Sequence, residues 1–206
     1  SNLCTNAVAE KRNEKKREMK FLTVQEYAKF CACEQNALLK FAFDTFFWTG
    51  MREGELLALA PEVVSDGKIS ITKTYIKLNG EEIIGVPKTG SSVRVVSIPH
   101  FLQEELAPLI ATMSGGRLFE GTSASMLRNH CKRNCVKASV PIIRVHDLRH
   151  SHASMLIDQG VQPLLIAERL GHENVTVTLR VYSHLYKAKR DDLCSILERC
   201  YDSATP

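Results

Sequence analysis

The sequence has no apolar run long enough to cross a bilayer, and its first residues lack the apolar stretch of a secretion signal. That sets the expectation of a protein working in the cytoplasm, away from membrane. It also has no initiator Met. Ser1-Asn2 reads as a tag remnant, and the chain as a piece of a longer protein. There is no internal repeat and no low-complexity segment. Cysteines number seven, an odd count without framework spacing, which argues against a disulfide scaffold and for reduced thiols. Metal-ligand spacing is nearly absent as well. Cys131 and Cys135 lie four apart beside His130, but no second Cys/His pair follows at a zinc-finger distance. The expectation is no metal, with both cysteines as small buried helix residues.

What is present suits one compact domain: 206 residues, 44% hydrophobic and 24% charged. The net charge of +4 leans mildly toward a polyanionic partner. Its distribution says more. Between 121 and 140 there is no acid at all, while Arg128, Lys132, Arg133 and Lys137 alternate with Leu127, Cys131, Cys135 and Ala138. The apolar set repeats at helical spacing, so this helix buries one side and turns its basic side outward, toward solvent or the phosphates of double-stranded DNA. Residues 1–19 are basic, but Glu10, Glu14 and Glu18 interrupt them, the last two at helical pairing distances, so they read as a linker or remnant of an upstream region, either solvated or tracking DNA.

Along the chain, Thr23 and Glu26 form a capping-box pattern that predicts a helix to about residue 33. A second helix, about 36–48, carries Leu38, Ala42 and Phe46, widened by Phe41, Phe43 and Phe47, and should be central and buried. Gly50 ends it. A short helix with Leu56, Leu57 and Leu59 follows and stops at Pro61. The middle is β-type: runs 69–76, 82–86 and 93–98, with Asn79-Gly80 a strong hairpin signal, predict one small antiparallel sheet of three or four strands. Helices are then expected at about 100–112, 122–138, 147–159, 162–170, 174–182 and 187–200. The fold class is α+β, mainly helical with a small sheet.

Four short patterns carry chemistry. Arg52 sits among glycines in Thr49-Gly50-Met51-Arg52-Glu53-Gly54-Glu55-Leu56. Lys88 sits on a turn, Pro87-Lys88-Thr89-Gly90. His146 and Arg149 stand three apart in His146-Asp147-Leu148-Arg149, so they share one helix face. His172 follows Gly171, and Tyr182 comes ten residues later. Guanidinium groups clamp phosphate oxygens in two-pronged fashion, imidazoles move protons near neutral pH, and a phenol can attack as a covalent nucleophile. Each residue alone has an ordinary reading: a surface ion pair, a turn lysine, core histidines, an interface tyrosine.

Together and in this order, the four segments resemble the tyrosine recombinase family, the integrases of phages and conjugative transposons. The match is with the family's first arginine box, its β-hairpin lysine with Arg94 following, its second box in 146–153, and its third box with nucleophile in 170–172 and 182–184. It spans about 20–186. The resemblance implies that 20–206 is a catalytic domain whose DNA-clamping and arm-binding domains lie elsewhere. It implies Tyr182 as nucleophile on the scissile phosphate, Arg52, Arg149 and His172 on the non-bridging oxygens, Lys88 as acid for the leaving 5′-oxygen, and His146 as proton acceptor near the tyrosine. No cofactor is implied, because the phosphotyrosyl bond keeps the energy of the broken phosphodiester. The implied activity is DNA integration and excision of a mobile element, near the nucleoid of a prokaryotic cell. The implied partners are double-stranded DNA, further protomers in a synaptic tetramer, an excision factor and a host DNA-bending protein. The segment 187–200, with Leu193, Ile196 and Leu197 on one face, is expected to pack either on its own domain or on a neighbour. Two rivals remain at this point: a type IB topoisomerase, and a helical DNA-binding regulator without chemistry.

Overall fold

Two helices, deeply buried, set the frame. In the computed structural model, which describes residues 19–87, 89–113, 115–188 and 193–204, these are α2 (Ala37–Thr49) and α6 (Asp147–Asp158). Helix α2 buries Phe43, Phe46 and Phe47 completely, and α6 buries Leu148, Ser151 and Ala153 completely. Burying each such Phe is worth about 2 kcal/mol, so α2 is the principal core element, as its aromatic pattern predicts. Around the pair lie α1 (Val24–Ala32), α4 (His100–Ala111) and α5 (Ala124–Lys137), with α1 opened by the predicted Thr23–Glu26 capping box. Helices α7 (Pro163–Leu170) and α8 (Val175–Ala188) pack on each other and on α6. The short α3 (Glu53–Leu57) links α2 to the β region, and α9 (Leu193–Ala204) comes last.

The β region departs from the expected single sheet. It forms two: β1 (Val64–Ser65), β2 (Lys68–Ile71) and β5 (Arg94–Ser97) in the order β1-β2-β5, and a separate hairpin of β3 (Thr74–Leu78) and β4 (Glu81–Gly85). The run read as one strand over 69–76 therefore breaks at Thr72-Lys73. The inward register Ile69, Ile71, Tyr75 is interrupted by the exposed Lys73, so the two halves find different partners. Asn79 and Gly80 turn the hairpin, both at positive φ (51° and 90°), as a two-residue turn of this type requires. Gly54 of α3 lets the β3 backbone come close: a Cβ there would lie 2.6 Å from Thr74 Oγ1 and 2.8 Å from the Tyr75 carbonyl oxygen. Arg117 clasps the hairpin from the other side, donating to the Leu57 carbonyl and to Glu82 while lying over the Tyr75 ring.

Helix α8 runs six residues beyond its expected end at 182, and α9 begins at 193 rather than 187. Two expectations fall outside the described residues: the basic linker of 1–18 and the turn lysine Lys88.

Candidate active site

Helix ends organise the site. Helix α2 stops at Gly50 and α7 at Gly171, both left-handed (φ 67° and 66°). A helix C-terminus leaves carbonyl oxygens unpaired and carries partial negative charge. Arginines take up these oxygens. Arg149, on the first turn of α6, donates Nη1 to the Gly50 carbonyl (2.7 Å) and Nη2 to the Leu170 carbonyl (2.6 Å). Arg52, just before α3, donates Nη2 to the Gly171 carbonyl (2.7 Å) and Nη1 to Glu55 and Ser92. Residues separated by about a hundred positions are thereby fixed around one point. Both glycines are required: a Cβ at Gly50 would sit 2.5 Å from the His152 ring, and one at Gly171 would meet Arg94 Nη1 and the Ser91 carbonyl at 2.9 Å.

Arg94 of β5 joins them. It donates Nη1 and Nη2 to the two Glu55 oxygens and Nε to the Arg169 carbonyl. Arg52 and Arg94 thus share the single carboxylate of Glu55. Burial works against the Glu55 charge, but the bonds from Arg94 and Arg52 outweigh it and hold its carboxyl below the usual range. Arg149 has no carboxylate hydrogen bond. Burial, then the Arg52 and Arg94 charges, pull its guanidinium down to about 9, so it stays charged at neutral pH. A buried cation facing two others, with one anion between them, is a pocket of positive potential that an anionic ligand would relieve.

Helix α8 brings the other groups. Thr178 and Tyr182, four apart, lie on its buried face. The Thr178 hydroxyl is 2.8 Å from His172 Nδ1, which fixes that ring on the turn before the helix. Burial, then the charges of Arg149, Arg52 and Arg94, lower the His172 pKa to about 4, so the ring is neutral, and in the tautomer whose Nδ1 accepts from the Thr178 hydroxyl its Nε2 carries the N–H. The Tyr182 hydroxyl lies 2.8 Å from Nδ1 of His150, the residue after Arg149. Tyr182 is 1% exposed, and burial raises its pKa, with Arg149 acting the other way. His146 stands edge-on to His150, ring centroids 5.1 Å apart.

Arg52, Arg149, His172 and Tyr182 therefore converge, with His146 in contact with His150. Lys88 lies outside the described residues; just beyond it in the chain, the Thr89 and Ser92 hydroxyls are 2.8 Å apart, and Ser92 also bonds Arg52. The basic side chains of α5 stand apart. All four are exposed, yet Arg128 pairs with Glu53 (3.6 Å) and Arg133 with Glu34 (3.4 Å), which leaves Lys132 and Lys137 as the freer charges of that face. His130 also faces Glu34, while Cys131 and Cys135 are buried in the core. Sequence reasoning gave no role to Glu55, Arg94, His150 or Thr178. Two spacings carried a signal: Glu55 is three after Arg52 on a short helix, and Thr178 is four before Tyr182.

Three histidines couple the site to pH: His152 is buried, His172 half-buried and His146 more exposed. Desolvation, the largest cause in each case, lowers His146 and His172 to about 4 and His152 to about 3. His152 accepts from Arg169 Nε, which requires a neutral ring at that nitrogen. A folded pKa below the unfolded 6.5 means that the stabilising contribution is present above pH ~6.5 and is lost as pH falls toward the folded values. Melting temperature should accordingly fall steadily between about pH 6.5 and 4, ahead of carboxylate protonation. A melting temperature that stays flat down to about pH 4.5 would contradict this.

The chain has counterparts among known proteins. Residues 20–189 match the family described as phage integrase. The ICEBs1 integrase of Bacillus subtilis (strain 168) is 31% identical over 203 residues, covering 89% of this chain and 55% of that protein. Transposase A from transposon Tn554 of Staphylococcus aureus is 33% identical over 149 residues, covering 66% of this chain and 40% of its own. The chain spans about half the length of the curated relatives it matches. Among solved structures, the Tn1549 transposon integrase in complex with circular intermediate DNA superposes with a TM-score of 0.76 at 20% identity, over 90% of this chain and 68% of that one. The catalytic domain of bacteriophage HP1 integrase does so with a TM-score of 0.59 at 23% identity, over 86% and 98%.

Proposed function

The chain belongs to the phage integrase family, and from that premise we propose that residues 20–206 form the catalytic domain of a tyrosine site-specific recombinase that integrates and excises a mobile element. The observation that carries this reading is the packing of α8 on α6. It sets the Tyr182 hydroxyl on the residue next to Arg149, whose charge also faces Arg52 and Arg94, the two arginines that share the Glu55 carboxylate.

In this reading Tyr182 attacks the scissile phosphate and becomes bonded to the 3′-phosphate, and the 5′-oxygen leaves. The pentacoordinate phosphate carries extra negative charge on its equatorial oxygens. Arg52 and Arg149, already positioned by helix-end carbonyls, stabilise that charge without reorganising. Neutral His172 donates a hydrogen bond from the nitrogen not facing Thr178. Lys88, which follows the β3–β4 hairpin in sequence, protonates the 5′-oxygen. The hairpin suits contact with DNA: Ile76, Leu78, Ile83 and Ile84 are all exposed, so it has no core of its own to cover. The exposed face of α5, chiefly Lys132 and Lys137, adds sequence-independent phosphate contacts. Chemistry carried by side chains alone needs no cofactor.

Double-stranded DNA is the substrate, and other protomers in a synaptic tetramer are the partners, with an excision factor and a host DNA-bending protein setting direction. Helix α9 fits docking on a neighbouring protomer, since its described residues include exposed Ile196 and Leu197. The setting is the prokaryotic cytoplasm, and no described helix is long and apolar enough to cross a membrane.

The test uses nicked duplexes tiled across the DNA that flanks the gene, built so that the short 5′-hydroxyl strand diffuses away after cleavage. The expected result is a protein–DNA adduct that survives denaturing electrophoresis. Retarded DNA with no adduct would favour the regulator. An adduct accompanied by relaxation of supercoiled plasmid, with no strand exchange by the full-length protein, would favour a type IB topoisomerase.

A further inference from the structure

His150 stands where no motif reading placed a role. Its Nδ1 is 2.8 Å from the Tyr182 hydroxyl, within the range of a good O–H···N bond. The contact joins α6 to α8 across 32 residues, so it is a product of tertiary packing rather than local spacing. His146, the histidine that the resemblance implies as acceptor, touches His150 edge-on instead, and His150 lies between it and the phenol as the directly bonded ring.

We propose that His150 is the group that takes the Tyr182 proton during cleavage. The step balances without a further reagent. The phenolic oxygen forms its bond to phosphorus while the bond from phosphorus to the 5′-oxygen breaks. The phenolic proton passes to His150 Nδ1, which becomes an imidazolium, and the 5′-oxygen takes its proton from another donor. In the reverse step the imidazolium returns the proton to the departing phenol. The inference rests on the reading of Tyr182 as nucleophile.

The surroundings suit an acceptor. Facing His150 are Asp147 and Arg149 on α6, His146 at its N-cap, Arg144 in the turn before it, Tyr182 on α8, and His172 on the turn that leads into α8. Burial, then Arg149 and Arg144, outweigh the pull of Asp147 and lower the His150 pKa, so the ring is neutral and able to accept at pH 7. The imidazolium formed in the step is offset by Asp147, whose carboxyl is held ionised by the bidentate pairing with Arg144. His146 has the less favourable position for an acceptor, since it meets the His150 ring and not the phenol, and desolvation, then the charges of His150 and Arg149, disfavour its charged form although it is the more exposed ring.

Single-turnover cleavage of a nicked duplex, followed against pH for the wild type, His150→Asn, His150→Ala and His146→Asn, tests the assignment. Asparagine presents an oxygen where Nδ1 stood, so it keeps the hydrogen bond and cannot carry the proton at neutral pH. His150→Asn should bind DNA and melt like the wild type, cleave about 10²- to 10⁴-fold more slowly, and lose the fall in rate seen at acid pH. His150→Ala should show the same loss and regain rate with added imidazole, which keeps the test decisive if the asparagine variant does not fold. His146→Asn should keep the acid limb. Wild-type cleavage by His150→Asn, or an acid limb lost in His146→Asn alone, would overturn the proposal. An adduct formed by Tyr182→Phe would instead overturn the reading of the nucleophile, so the two failures are distinguishable.

Discussion

Replacing Tyr182 by Phe should eliminate the covalent protein–DNA adduct while leaving DNA affinity within about twofold of the wild type. The substitution removes one oxygen and keeps the ring that fills the cluster of Ala153, Ile157, Ile166 and Leu170. The structural cost is the hydrogen bond with His150, a net contribution of about 1 kcal/mol, too little to unfold a domain with an extensive separate core. Loss of the adduct would therefore reflect chemistry and not folding, and circular dichroism alongside the trapping assay separates the two. Retention of the adduct would move the nucleophile. Tyr186, one turn further along α8, is then the next candidate, since its hydroxyl is buried without a hydrogen-bond partner in the structure.

The second large effect is expected at Arg149→Lys. Lysine keeps the charge but not the planar fork, and the fork is what reaches the Gly50 and Leu170 carbonyls together while holding further N–H groups toward a phosphate. Cleavage should fall about 10³-fold, equivalent to about 4 kcal/mol of transition-state stabilisation. Stability should fall too, because an unpaired buried carbonyl costs about 1–3 kcal/mol. Rates measured well below the melting temperature of the variant isolate the catalytic part. A variant that cleaves within tenfold of the wild type under those conditions would show that Arg149 is a structural tie between the ends of α2 and α7 and no more.

The sequence made some of this legible, for physical reasons that differ from residue to residue. Helices α1 and α2 carry their signals locally: a capping box, a four-residue apolar repeat rich in Phe, and a glycine stop. The hairpin turn is equally local, because only certain residues tolerate positive φ at Asn79 and Gly80. The split into two sheets was not local. It depends on which partner each half of 69–76 finds, and Lys73 in the inward register was the sole hint. The length of α8 was underestimated because its buried face continues past Tyr182 with half-buried Leu185 and no breaker intervening.

At the site, Arg52, Arg149, His172 and Tyr182 were readable from short patterns matched in order. Their supports were not. The sharing of Glu55 by Arg52 and Arg94 joins positions 39 residues apart, and the contact between His150 and Tyr182 joins positions 32 apart. Nothing in the spacing of those residues announces such pairs. The same holds for the arginines docked on helix C-termini, since a backbone carbonyl leaves no mark in a sequence. Charge counting on α5 named four basic residues, but two of them turned out to have acidic partners from distant segments.

The most direct measurement is the identity of the bond between protein and DNA. The adduct trapped on a nicked duplex should be digested with nuclease and protease and the residual nucleotide located by mass spectrometry. The result expected is a nucleotide linked through its 3′-phosphate to the peptide that carries Tyr182, with a free 5′-hydroxyl on the released strand. A nucleotide on any other residue, or a 5′-phosphate linkage, would contradict it.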